Sequence, residues 1–139
     1  MMFQLAGFIL FVTTALVSTY AGPMAPIQLT DPSLASIDSP TSTQVIAGKQ
    51  LFVKTTAYRT YNDTEPLQFI AIIYTRNSEG VTLSIAFQSA SLEASQQAAI
   101  GTSWTPPEPG IYYLRAFTLS ELENPIILSS TVQSTVTVV

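Results

Sequence analysis

From Gln44 onward, apolar residues recur at about every second position rather than at the helical spacing of about 3.6 residues. These segments are rich in β-branched and aromatic residues, and Gly, Pro, Asn or Asp separates them at intervals of about 8–12 residues. Such a pattern is typical of half-buried strands joined by tight turns. It predicts an all-β domain, a sandwich of about seven antiparallel strands.

The alternation also predicts which residues share a face. In segment 51–58 we expect odd-numbered positions on one face and even-numbered positions on the other. Segment 67–76 is almost continuously apolar and is predicted to be a central strand. In segment 81–89 we expect Val81, Leu83, Ile85 and Phe87 to face the core. The remaining predicted strands cover about residues 98–105 and 111–120 and lie within 126–139, and the sequence NSEG at 77–80 predicts a tight turn.

The N-terminal segment has a different character, because no charge occurs before Asp31 and the run from Leu5 to Val17 is largely apolar. Two interpretations of residues 1–21 stay open. A secretory signal would be cleaved after Ala21, although no Lys or Arg precedes the apolar run. A retained transmembrane helix over 1–20 would have the ~20 residues needed to cross a ~30 Å hydrocarbon core. Either interpretation places the rest of the chain outside the cytoplasm.

Four prolines, at positions 23, 26, 32 and 40, predict an extended linker over residues 22–40. The alternation of Leu34, Ser36 and Asp38 allows a first edge strand within it. The predicted organisation is therefore an N-terminal hydrophobic helix that is an anchor or a signal (1–21), a Pro-rich linker (22–40) and a sandwich (41–139).

The 139-residue chain contains no Cys and no His. It therefore has no thiol nucleophile, no His general base, and none of the usual thiolate or imidazole metal ligands. Its net charge is −4, and its five Lys and Arg residues are scattered, which argues against nucleic-acid binding. We interpret the pairs Asp63/Glu65 and Glu121/Glu123 as solvated loop charges. We expect no catalytic residue, no cofactor and no metal site.

The sequence SWTPPEPGIYYLRAF, residues 103–117, joins two predicted strands through a Pro-rich turn. Tyr112 follows Gly110 by two residues, as in a tyrosine corner, where the Tyr hydroxyl bonds to nearby backbone. Trp104 is placed to close the end of the core. We interpret Trp104, Gly110 and Tyr112 as structural residues, with a ligand-binding surface as the alternative.

Two stretches carry a family resemblance: SPTSTQVIAGKQLFVKTTAY and SWTPPEPGIYYLRAFTL. Over about residues 38–139 the chain resembles the immunoglobulin-like repeats of bacterial and archaeal surface proteins, including the cell-adhesion-related domain. It is also similar, more weakly, to small membrane-linked proteins of ammonia-oxidising archaea. The resemblance implies an immunoglobulin-like sandwich that acts as a spacer, adhesin or accessory subunit, and it transfers no catalytic residue.

Asn62, Asp63 and Thr64 form an N-glycosylation sequon in a predicted loop, with a plain turn as the alternative. Tyr58, Tyr61 and Tyr74 are candidates for a sugar-stacking patch.

These observations favour a non-catalytic extracytoplasmic interaction module, an accessory subunit of a larger membrane complex that is held to the membrane by its N-terminal helix. Unusually apolar exposed strand faces would support this hypothesis. One alternative is a free-standing surface, adhesion or filament module that donates segment 26–38 or 134–139 as a strand. The other is a carbohydrate-binding module, which predicts a planar row of exposed Tyr or Trp on one sheet.

Overall fold

A computed structural model of the chain describes residues 25–36, 44–60 and 65–139. The predicted N-terminal helix lies outside these residues. Within them, no helix is long and apolar enough to cross a membrane. Their secondary structure consists of the strands β1 (Ile27–Leu29), β2 (Ser33–Ser36), β3 (Leu51–Arg59), β4 (Leu67–Asn77), β5 (Thr82–Leu92), β6 (Gln97–Trp104), β7 (Gly110–Leu119) and β8 (Val132–Val138).

The strands form two antiparallel sheets. In the first, β3 lies between β6 and a broken edge in which β1 pairs with one end of β3 and β2 with the other. The second has the order β5-β4-β7-β8. Because β1 and β2 share one edge, the first sheet has three strand positions and the second has four. The eight strands thus occupy seven positions, in agreement with the predicted sandwich of about seven strands.

The core lies between the two sheets. In β3 the odd-numbered residues Leu51, Val53, Thr55 and Ala57 are buried and the even-numbered residues face out, as predicted. The predicted central strand is confirmed, because β4 pairs with β5 on one side and with β7 on the other. The core contains these fully or almost fully buried residues: Phe69, Ile73, Leu92 and Leu114 from the sheet of β4, and Ile27 and Ile100 from the sheet opposite.

The described part of segment 22–40 belongs to the sandwich and is not a linker. Ile27 is completely buried, and its backbone N–H donates to the Leu128 carbonyl at 2.9 Å. Pro26 and Pro32 precede β1 and β2 instead of interrupting them. Their carbonyls still accept hydrogen bonds, Pro26 from the Thr60 N–H and Pro32 from the Ser134 hydroxyl. Proline lacks only the donor, so it suits the ends of short edge strands.

The predicted orientation of β5 is wrong. Val81, Leu83, Ile85 and Phe87 are 42–57% exposed, and the residues of β5 that face the opposite sheet are small or polar except for Leu92 at its end. Alternation shows which residues share a face, but it does not show which face is covered. Here β5 is the edge of the wider sheet, so its inner face extends beyond the three-position sheet opposite and needs few apolar residues.

Trp104 and Tyr112 pack against each other beside the Pro-rich turn. We call Trp104, Gly110 and Tyr112 together the hinge. Both aromatic side chains are buried, and their rings meet edge to face with centroids 5.2 Å apart. The Tyr112 hydroxyl donates to the Glu108 carbonyl at 2.6 Å, which is the back-bond of a tyrosine corner. Gly110 has φ +151°, a conformation that residues with a Cβ rarely adopt.

Replacing Tyr112 by Phe removes the hydroxyl donor and keeps the ring. We expect the free energy of unfolding to fall by about 1 kcal/mol, because a net intramolecular hydrogen bond contributes about that much. Chemical denaturation of the full chain measures the change. The control is Tyr113→Phe on the other face of β7, which we expect to change stability by less than about 0.5 kcal/mol. Equal effects of the two variants would contradict a stabilising role for this bond.

The orientation of β5 is tested by comparing one substitution at two phenylalanines. Phe69→Ala empties a buried position and should cost about 3–5 kcal/mol. Phe87→Ala on β5 should cost about 1 kcal/mol or less, since that ring is already largely in water. Denaturation midpoints of the two variants decide the matter. A loss for Phe87→Ala as large as that for Phe69→Ala would restore the inward orientation.

Candidate protein-interaction surface

The outer face of the four-stranded sheet carries a block of apolar residues. Opposed residues in neighbouring antiparallel strands share a face, so the pairing register defines this block. One row runs Phe87–Ile72–Phe117 across β5, β4 and β7, and the next row begins with Ile85 and Tyr74. We call the following set the apolar face: Ile85 and Phe87 on β5, Ile70, Ile72 and Tyr74 on β4, and Phe117 and Leu119 on β7.

Exposure within the apolar face rises toward the sheet edge. Ile72 and Leu119 are covered by their neighbours, whereas Ile85 and Phe87 on the edge strand are more than half exposed. By the transfer free energy of apolar side chains, covering the open part of each would contribute about 1 kcal/mol. The apolar face therefore has an energetic preference for being covered, and this preference is greatest along β5.

Ring contacts hold the middle of the apolar face in place. Tyr74 and Phe117 meet edge to face, with centroids 6.2 Å apart and an interplanar angle of 84°. The guanidinium carbon of Arg115 lies 5.9 Å from the centroid of the Tyr74 ring, within cation–π distance. These contacts order the side chains before any partner arrives, which lowers the entropy lost on binding.

The same outer face is polar at its opposite edge, along β8. On β8, Gln133, Thr135 and Thr137 lie opposite Arg115, Tyr113 and Ile111 of β7, and all three are exposed. The outer face thus changes from apolar at the β5 edge to polar at the β8 edge. Protein interfaces likewise combine an apolar part with a polar border.

The remaining candidate sites show no comparable arrangement. A depression of about 240 Å³ beside the hinge is lined mainly by polar and proline residues, together with Leu83 and Ile111. Its titratable side chains are Glu79, Glu108 and Tyr112. No group of three or more carboxylates lies together among residues 25–36, 44–60 and 65–139. Glu121 and Glu123 are exposed in the loop after β7, and Glu65 is exposed as well, as expected for solvated charges.

The structure separates the tyrosines proposed as a sugar-stacking patch. Tyr58 lies on the outer side of β3 in the three-position sheet, and Tyr74 lies on the outer side of the other sheet. Tyr61 and the candidate glycosylation residue Asn62 lie outside the described residues. Trp104, Gly110 and Tyr112 lie together at the hinge, where the two aromatic side chains are part of the core.

The segments proposed as donated strands are both paired within this chain. Residues 27–29 and 33–36 pair with β3, and residues 132–138 pair with β7.

The apolar face itself was not predicted as a surface. Its signal was present in segment 81–89, where large apolar residues alternate with Thr, Ser, Ala and Gln, but it was assigned to the core.

Comparisons with known proteins support the architecture. No protein-family model matches the chain, and no curated protein matches it. Among solved structures, the C-terminal domain of Wzt is similar with a TM-score of 0.67 and 11% identity, over 84% of this chain and 75% of that one. A CARDB domain from Pyrococcus furiosus, solved in complex with di-metal ions, has a TM-score of 0.54 and 16% identity, over 89% of this chain and 95% of that one.

A β-glucuronidase from glycoside hydrolase family 2 is similar with a TM-score of 0.60 and 10% identity, but this chain covers only 13% of the enzyme. Identities this low show the fold alone. The chain is thus an all-β protein whose two antiparallel sheets are similar to β-sandwich-like domains found in otherwise different proteins.

Proposed function

We propose that this chain is a non-catalytic, immunoglobulin-like interaction module that binds a protein partner through the apolar face. The observation that carries the proposal is the exposure of Ile85 and Phe87 beside the ordered residues Ile72, Tyr74 and Phe117. Monomeric domains keep such contiguous apolar surface small, and larger patches mark sites of interaction.

Strand order and hinge chemistry support the immunoglobulin-like type. A sheet of three strand positions packs on a sheet of order β5-β4-β7-β8. Val45 forms a parallel bridge with Val138 of the last strand, beside an otherwise antiparallel sheet. The bond from Tyr112 to Glu108 lies at the start of β7, the penultimate strand, where tyrosine corners occur in this fold.

A protein partner fits the chemistry of the apolar face better than a carbohydrate does. Sugar-binding surfaces combine a flat aromatic platform with hydrogen-bonding groups, whereas the most exposed residues of the apolar face are Ile85 and Phe87, which offer no polar side-chain atom. The one tryptophan, Trp104, is buried in the core. Aliphatic and aromatic side chains with a polar border are the composition of protein–protein interfaces.

We further propose that the module works outside the cytoplasm as an accessory subunit of a membrane-bound assembly. The uncharged, apolar residues 1–21 are suited to an anchor or an export signal. The described chain enters the sandwich beside Leu128, next to the loop whose Leu122 and Ile126 are more than half exposed. If residues 1–21 are an anchor, this loop, which also carries the exposed Glu121 and Glu123, lies on the side that faces the membrane.

The experiment is native electrophoresis of the full chain, extracted from its own membranes in mild detergent, with mass spectrometry of the co-migrating proteins. We expect migration in a stoichiometric assembly that Ile85→Lys/Phe87→Lys abolishes, because two buried charges would have to be desolvated. The matched control is Phe52→Lys, at a phenylalanine 47% exposed on the opposite sheet. We expect the control to stay in the assembly.

Two results would contradict the proposal. The wild-type chain could migrate alone, or the double lysine variant could stay in the assembly as the control does. Release of the protein without detergent would contradict membrane anchoring but leave binding through the apolar face to be judged by the variants.

A further inference from the structure

We infer that the free edge of β5 is where two copies of this chain pair, antiparallel and about a two-fold axis near Ala86. The pairing would join two four-stranded sheets into one continuous sheet of eight strands. The inference rests on the proposed function in one respect, since both require β5 to be accessible. It differs in using the backbone edge of β5 and in naming a second copy as the occupant.

Each of the other strand edges in the described part of the chain carries a feature that opposes pairing. At the C-terminal end of β8, the Val139 N–H donates to the Val45 carbonyl, and the Ala47 N–H donates to the Val139 carbonyl. On β6, the Gly101 N–H points away from β3 and donates to the Gln88 side chain at 3.1 Å. The edge formed by β1 and β2 is broken into two short strands. Interrupted, capped or covered edges prevent strands from pairing between molecules.

Among residues 25–36, 44–60 and 65–139, the edge of β5 has little of the usual protection. β5 is 11 residues long, and its sequence TLSIAFQSASL contains no charge and no proline. Its one irregularity is a register shift where Arg76 lies opposite Thr82, near the turn. From Ser84 to Leu92 the pairing with β4 is regular. A long, uncharged and regular edge strand is a template for another strand.

Alternation identifies the backbone groups that point to the open edge. The Asn77 N–H donates to the Val81 carbonyl, so the odd-numbered residues of β4 direct their backbone groups toward β5. Their partners Ser84, Ala86 and Gln88 therefore bond inward. It follows that Ile85 and Phe87, with Ser89, direct their N–H and C=O groups outward.

A second copy fits this edge. With the axis at Ala86, Ile85 lies opposite Phe87 of the partner subunit, and the same pair occurs again across the axis. Aromatic and β-branched residues are favourable cross-strand partners. A two-fold axis brings the same surface of both copies together, so any charge on β5 would lie close to an identical charge of the second copy. β5 contains no charged residue, so no such repulsion arises.

The distribution of polarity points to the same axis. Apolar exposure is greatest at β5 and is replaced by polar side chains at β8. Pairing at β5 would place the apolar residues of both copies at the centre and the polar residues at both ends. With strands about 4.8 Å apart and about 27 Å long, one sheet face measures roughly 500 Å² and the joined face roughly 1,000 Å². Only the joined face exceeds the ~800 Å² that one partner contributes to a standard interface, so the pair would offer a further protein a surface of that size.

The test uses the absence of cysteine from the chain, which makes any introduced thiol the only one. In an antiparallel pair, opposed Cα atoms lie about 4.5–5.5 Å apart, within the range of disulfides. We expect Ala86→Cys in the full chain, purified in mild detergent, to form a disulfide-linked dimer rapidly on oxidation with diamide. The matched control Phe52→Cys lies on the opposite sheet and should remain monomeric.

A second measurement covers the case in which A86C folds poorly. By sedimentation in the same detergent, we expect Ile85→Lys to weaken dimerisation by about tenfold or more, because it places charges beside their like across the axis. Ile111→Lys, at an isoleucine 46% exposed on β7 of the same sheet, should leave dimerisation unchanged. Wild-type protein that stays monomeric at all concentrations, or cross-linking of A86C no faster than of F52C, would overturn the inference.

These results separate the two proposals. If A86C cross-links to itself but no partner co-migrates, the pairing at β5 is supported and the accessory-subunit function is rejected. If partners co-migrate but A86C does not cross-link, the function is supported and the pairing is rejected. If A86C cross-links only to a different polypeptide, that polypeptide and not a second copy occupies the β5 edge.

Discussion

The unequal width of the two sheets is the constraint on which the rest of the structure depends. Three strand positions cannot cover four, so β5 extends beyond the opposite sheet, and its inner residues Ser84 and Gln88 remain exposed. One polar contact crosses this gap, in which the Gln88 side chain accepts a hydrogen bond from the Gly101 N–H of β6. Within the wider sheet, the hydroxyls of Ser84 and Thr75 are hydrogen-bonded to each other. Apolar side chains on β5 therefore have little core to enter, and they point outward.

This geometry separates stability from interaction. The core is anchored by β3, β4 and β7, and the Trp104–Tyr112 contact closes one end of it. Ile85 and Phe87 of β5 contribute little to that core, so these positions are free to serve a partner. The edge of β5 and the apolar face meet at these two residues, whose outward backbone groups and side chains face no other strand among the described residues.

Much of the fold could be predicted from the sequence. Period-two alternation located the strands from β3 onward, and the Gly-x-Tyr spacing at Gly110 and Tyr112 predicted the hinge bond, because each depends on neighbouring residues alone. The orientation of β5 could not be predicted, since it depends on how many strands lie opposite. The pairing of residues 25–36 could not be predicted for a related reason. Their prolines suggested a linker, whereas the burial of Ile27 depends on strands that are distant in the sequence.

Thiol labelling measures whether the apolar face is covered in the native assembly. A single cysteine is introduced as Phe87→Cys or, as a control on the other sheet, Phe52→Cys, and each variant is treated with a maleimide in native membranes and after purification. We expect F87C to react at least about tenfold more slowly in membranes than after purification, because a thiol covered by a partner loses access to solvent. We expect F52C to react equally fast in both preparations. Equal reaction of F87C in the two preparations would contradict coverage of the apolar face.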